Sequence, residues 1–91
     1  MLTDIQRLYR DLAPSGAVRT RSEGLVSSYM EQRPGDRDRL GTLHASALYI
    51  SFILEDEPRS QDQVAGAAGI SSSTLRRWYK RMASVVLPVQ S

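Results

Sequence analysis

The stretch from about residue 38 to residue 55 restricts the possible folds more than any other part of this chain. Leu40, Leu43, Ala47, Ile50 and Leu54 form one stripe at helical spacing, and Leu48, Phe52 and Ile53 fill the other sides. A helix that is apolar nearly all round has no face to give to water, so it must be a central helix buried by its neighbours. The small residues Ala45, Ser46 and Ala47 let those neighbours approach closely. With 91 residues in all, the chain has room for one domain built around such a helix.

The rest of the sequence supplies the surrounding helices. Leu2, Ile5, Leu8 and Leu12 recur at helical spacing, and Thr3 with Gln6 has the form of a capping box. Ala13-Pro14-Ser15-Gly16 ends that segment, and Ser15 can cap a second helix with Val18, Leu25, Val26 and Tyr29 on its apolar face. Ser22 and Gly24 interrupt that face. Arg33-Pro34-Gly35-Asp36 reads as a turn. Glu55-Asp56-Glu57-Pro58 closes the central helix, since proline lacks the amide donor and disfavours helix in the residue before it. Ser60 and Gln63 form a second capping pair for a short helix that Gly69 stops. Ser71 or Ser72 then caps a last helix with Leu75, Tyr79 and Met82 toward the core. The expected fold is all-α, one domain over residues 1–91, with five helices and short connections. Residues 84–91 are expected to be a non-helical apolar tail that folds back on the domain or is covered by a partner, with a disordered terminus as the plainer reading.

Composition narrows the function. There is no Cys and a single His, His44, so thiolate zinc sites, Cys nucleophiles and a His-based triad are not available. No cofactor, metal or catalytic residue is expected. Glu55, Asp56 and Glu57 do not face one another on a helix and are read as a solvated helix end, and His44 as a hydrogen-bonded core or groove residue. No run is long enough for a membrane span, and the N-terminus lacks the order of a signal peptide, so a cytoplasmic protein is expected. The net charge of +2 is unevenly spread. All 10 acidic residues and 8 of the 12 basic ones lie at or before Asp62, so the balance is −2 up to that point and +4 beyond it. Concentrated positive charge invites a polyanion.

The segment 60–83 gives that charge a geometry. Ala65 is small where a second helix must cross, Gly69 makes the tight turn, and Val64, Ile70 and Leu75 form the wedge that sets the crossing. This is the arrangement of a helix-turn-helix, whose second helix enters a major groove. Ser72, Ser73, Arg76, Arg77 and Lys80 are left on the outer face, Arg81 is a further candidate to hold a phosphate, and Ser60 and Gln61 stand at a helix N-terminus where backbone amides can meet a phosphate. Arg76 with Lys80, and Arg77 with Arg81, are like-charged pairs one turn apart, a repulsion that phosphates would relieve. Trp78 is read as a core residue. An ordinary helical hairpin with a solvated basic face is the plainer reading of the same residues.

The residues Ala45-Ser46-Ala47-Leu48-Tyr49-Ile50-Ser51, Leu54-Glu55-Asp56-Glu57-Pro58-Arg59-Ser60-Gln61, Val64-Ala65, Ala68-Gly69-Ile70, Thr74-Leu75-Arg76 and Tyr79-Lys80 resemble a cyclin-like repeat of the transcription factor IIB family, in particular its archaeal branch, transcription factor B. The ending Thr74-Leu75-Arg76 with Tyr79-Lys80 is similar to the second of that family's two repeats. The likeness is specific over residues 43–82 and architectural before that. It implies a five-helix cyclin-like fold and recognition of a promoter element upstream of the TATA box, in double-stranded DNA, together with TATA-binding protein. It also implies a nucleoid location in an archaeal cell. The family's two main base-reading positions fall on Ser73 and Arg76. Ser73 stands where the family has Val, replacing an apolar contact with a hydrogen-bonding group, and Arg39-Leu40 stands where the family usually has Ser-Pro. The family's zinc ribbon and polymerase-entering linker have no counterpart here. The chain therefore reads as an excised C-terminal domain or a stand-alone protein, and polymerase contact is not expected of it. Two other readings fit the same residues: an independent helix-turn-helix regulator, and a cyclin-like protein-binding module.

Overall fold

The computed structural model describes residues 2–87. Their order is α1 (Asp4–Leu12), α2 (Gly16–Gln32), a short 3-10 helix (Pro34–Arg39), α3 (Leu40–Leu54), α4 (Gln61–Ala68) and α5 (Ser72–Val86), and no strand occurs among the described residues. The protein is all-α, as its periodicity requires. Helix α3 is the hub: it packs on α1, α2, α4 and α5.

The burial pattern of α3 follows from its sequence. Leu43, Ala45, Ser46, Ala47, Leu48, Ile50, Ser51 and Phe52 are all buried, on every side of the helix. They serve two separate groups of side chains. Ala45, Leu48 and Phe52 pack with Leu8, Tyr9 and Leu12 of α1, Val18 of α2, Val64 and Ala65 of α4, and Leu75 of α5. Leu43, Ala47 and Ile50 pack instead with Leu25, Val26 and Tyr29 of α2 and with Trp78 and Met82 of α5. The apolar content of α3 is thus divided between two half-cores. Of its two buried serines, Ser46 donates to the carbonyl of Thr42 at 2.9 Å, while Ser51 Oγ has no hydrogen-bond partner among the described residues.

The helix starts are set by side-chain caps. At α1 both halves of the capping box form: Gln6 N donates to Thr3 Oγ1 at 3.1 Å and Thr3 N to Gln6 Oε1 at 2.9 Å. Ser15 accepts from Val18 N, Ser60 from Gln63 N and Ser71 from Thr74 N. At α4 only the Ser60 half of the expected pair is present.

Several sequence expectations are corrected. Leu2 precedes the Thr3 cap, lies outside α1 and is exposed. Helix α2 runs unbroken through Ser22 and Gly24. Ser22 is fully buried because its hydroxyl is paired with Tyr9 Oη at 2.9 Å, and Gly24 lies on the exposed side. The turn expected at residues 33–36 continues as 3-10 helix to Arg39, so α3 begins at Leu40. At its other end Ile53 and Leu54 are 51% and 48% exposed and do not join the buried stripe. The carboxylates after α3 are not simply solvated: Glu55 pairs with Arg21 at 2.6 Å, and Ser15 Oγ donates to Glu57 at 2.6 Å. They fasten the end of α3 to α2 and its cap.

Residues 84–86 are helical, one turn beyond the expected end of α5. Nothing in the sequence stops the helix before Pro88, which disfavours helical geometry at Leu87, and Leu87 has left it (φ −127°, ψ 66°). Val85, Val86 and Leu87 pack against the second half-core. The remainder of the expected tail, residues 88–91, lies outside the described residues.

Candidate nucleic-acid interface

Helices α4 and α5 meet at a turn whose geometry is fixed by one glycine. Gly69 has φ 71°, a left-handed conformation that costs a residue with a Cβ about 1–2 kcal/mol. It lets Ile70 N donate to Ala65 O at 3.0 Å and Gly69 N to Gly66 O at 3.2 Å. These two bonds satisfy carbonyls that the end of α4 would leave open. Ile70 then folds back on the same half-core as Val64, Ala65 and Leu75, so the four residues expected to set the crossing do pack together. Ala65 is buried at the junction of α4 with the rest of the domain.

Helix α5 is divided lengthwise. Leu75, Trp78 and Met82 are buried and Tyr79 is half-buried, its ring 4.7 Å from that of Tyr49 on α3. Trp78, at 8% exposure, is a core residue as expected. The opposite side carries Ser73, Arg76, Arg77 and Lys80, all exposed. Among the described residues no carboxylate lies within ion-pair distance of Arg76, Arg77 or Lys80. One outward face of α5 therefore holds a hydroxyl and three cations that have no carboxylate partner among the described residues.

The other expected site residues are placed differently. Ser72 Oγ is hydrogen-bonded to Asp62, joining the start of α5 to the first turn of α4. Gln61 turns toward α5, its Nε2 3.5 Å from Tyr79 Oη. Ser60 is exposed and its hydroxyl is occupied as the α4 cap. Arg81 lies at the edge of the outward face. Its guanidinium is 5.2 Å from the centre of the Trp78 ring and 3.9 Å from Asp36, whose carboxylate accepts from Tyr29 Oη at 2.6 Å. Burial, and then that bond to Asp36, hold the Tyr29 phenol above its ordinary pKa.

Sequence reasoning missed Arg39. It sits at the end of the 3-10 helix with its guanidinium 5.8 Å from the Trp78 ring centre. The only available signal was the alternation of charges over residues 36–39, which by itself reads as a solvated turn. His44 was expected to be hydrogen-bonded, and its Nδ1 lies 2.9 Å from Tyr9 Oη. The two line a cleft of about 300 Å3 with Ile5, Arg19 and Glu23, on α1, α2 and α3.

Relatives of known name align over most of this chain. Transcription initiation factor IIB of Saccharolobus shibatae is 34% identical over 79 residues, covering 86% of this chain and 26% of its own length. Transcription initiation factor IIB 5 of Halobacterium salinarum is 30% identical over 82 residues, 90% of this chain and 27% of its own. The factor of Methanosphaerula palustris is 32% identical over 79 residues. Over most of its length the chain is thus similar to transcription initiation factors IIB. It spans about a quarter of the length of these relatives. No protein-family model matches it. The similarity to these archaeal initiation factors covers so much of the chain that it must include most of the helical framework, and not the α4–α5 segment alone. No helix of the described residues is long and apolar enough to cross a membrane.

Proposed function

We propose that this chain is a DNA-binding, cyclin-like repeat of a transcription initiation factor, which docks α5 in the major groove of a promoter element upstream of the TATA box together with TATA-binding protein. The observation that carries this reading is the outward face of α5. Ser73, Arg76, Arg77 and Lys80 are exposed and have no carboxylate partner among the described residues, on a helix whose other side is packed into both half-cores. Such a face matches the charge and the width of a DNA major groove. The family's second repeat, the C-terminal one, is the repeat this segment corresponds to, and the site of action is the nucleoid.

The roles divide along the helix. Arg76 lies about one turn from the start of α5, the part of a recognition helix that penetrates most deeply, and donates to a guanine edge. Ser73 sits beside it with a hydrogen-bonding hydroxyl. Arg77 and Lys80 hold phosphates, and Arg81 exchanges Asp36 for a phosphate at the edge. Ser60, Gln61 and Ser72 contribute through the backbone amides at the starts of α4 and α5, since their side chains are engaged within the domain.

The test is binding to a panel of single-base variants of an upstream element, at several salt concentrations, with TATA-binding protein present. Arg76→Ala should cost about 1–3 kcal/mol and relax preference at one base pair. Lys80→Ala should weaken all sequences alike and reduce the salt dependence by about one phosphate's worth of counterion release. If Arg76→Ala leaves base preference intact while Lys80→Ala alters it, the reading face is misassigned. Tight binding to an inverted repeat by a dimer, without TATA-binding protein, makes the chain an independent regulator. Indifference of DNA binding to Arg76, Arg77 and Lys80 makes it a protein-binding module.

A further inference from the structure

The cationic surface does not stop at α5. Arg39 and Arg81 come from different elements, yet both guanidinium groups rest over one indole, at 5.8 and 5.2 Å from the Trp78 ring centre. The two distances place them no more than about 11 Å apart. Both residues are exposed. Among the described residues Asp36 is within ion-pair distance of Arg81 alone, at 3.9 Å, and it is already bonded to Tyr29. Among the described residues no carboxylate lies within ion-pair distance of Arg39. The neighbouring Asp38 is exposed and forms no such pair with it. Trp78 is itself nearly buried, so it fixes where the two cations are held.

We infer that Arg39, held against Trp78 beside Arg81, is a phosphate-binding residue outside the recognition helix, and that it extends the DNA footprint from α5 onto the 3-10 helix. The inference rests on the proposed DNA-binding reading and adds to it a second element and a further backbone contact. Two like charges held over one ring by the fold form a standing repulsion. A strand of phosphates passing the edge of α5 relieves it, as it relieves the repulsion between Arg77 and Arg81 one helical turn apart. An arginine already held near an indole loses less additional freedom when it takes an anion than one that is free in solvent.

The experiment is the same duplex panel, at several salt concentrations, with the full chain carrying Arg39→Gln or Arg39→Lys. Arg39→Gln should lower the slope of log affinity against log salt by about 0.9, one phosphate's worth, and leave the ranking of base variants unchanged. Arg39→Lys keeps the charge and should restore most of the slope. An unchanged slope in Arg39→Gln, with a reduced melting temperature, assigns Arg39 to packing on Trp78 and overturns the inference. So does a failure of Arg39→Lys to restore the slope. A changed ranking of base variants overturns it too, because a phosphate contact carries no sequence information. In each of these cases the α5 assignment stands if Arg76→Ala still relaxes base preference. If the unsubstituted chain shows no salt-dependent affinity for DNA, the proposed function and this inference fail together.

Discussion

At the scale of single residues, the least expected feature is the buried polar chain Ser22–Tyr9–His44. Tyr9 Oη lies 2.9 Å from Ser22 Oγ and 2.9 Å from His44 Nδ1, and so joins α1 to both α2 and α3. Burial raises the Tyr9 pKa, and burial also lowers that of His44, outweighing the opposing pull of Glu23. The sign of the consequence follows. A histidine whose folded pKa lies below its ordinary 6.5 is neutral in the folded state while the unfolded chain takes up a proton first. Its contribution to stability is complete above pH 6.5 and is lost as pH falls through the depressed folded pKa. Nuclear magnetic resonance titration of His44 should give a pKa below 6.5. Denaturant unfolding of His44→Gln should lack the part of the stability loss seen between about pH 6.5 and pH 5, above the range where carboxylates titrate. A His44 pKa at or above 6.5 would contradict this placement. Such pairings were not legible in the sequence. Tyr9, Ser22 and His44 are 13 and 35 positions from one another's partners, and helical periodicity constrains faces rather than which face meets which.

At the scale of elements, the caps were the most legible part of the chain, because they depend on residues three positions apart. Thr3, Ser15 and Ser60 each cap the helix that the sequence assigned to them, and of the two candidates for α5 it is Ser71 that caps it. Helix ends set by tertiary packing were less legible. The last turn of α5 packs Val85 and Val86 on the second half-core, and within the 3-10 helix Asp36 meets Tyr29 and Arg81, contacts between elements that local spacing does not announce. The outward basic face of α5 could be read from spacing alone, whereas the turning of Ser72 to Asp62 and Gln61 to Tyr79 could not. The joint between α4 and α5 gives a direct test of the local reading. Ser71→Ala should cost about 0.5–2 kcal/mol by removing the α5 cap. Gly69→Ala should cost about 1–2 kcal/mol because φ at that position is 71°. Thermal or denaturant unfolding measures both. Near-zero values for the two together would mean that the α4–α5 angle is held by packing alone.

At the scale of the whole molecule, α3 stands between two half-cores that share few side chains with each other. Leu48 belongs to the first and is fully buried, so Leu48→Ala should cost about 2–5 kcal/mol. That is a large share of the stability available to a domain of this size, and a small change in unfolding midpoint would mean that α3 is misplaced. Two half-cores would ordinarily suggest two units able to open separately. Here neither can, because the backbone of α3 is common to both and α5 contributes Leu75 to one and Trp78 and Met82 to the other. Under native conditions, amide protons in the middle of α3 and α5 should therefore exchange with solvent only when the entire chain opens. Their exchange free energies should converge on the value from global unfolding, while those of α1 and α4, each seated on one half-core, are free to fall below it. Mounted in this way, α5 holds its outward basic face in place through the same contacts that hold the fold together.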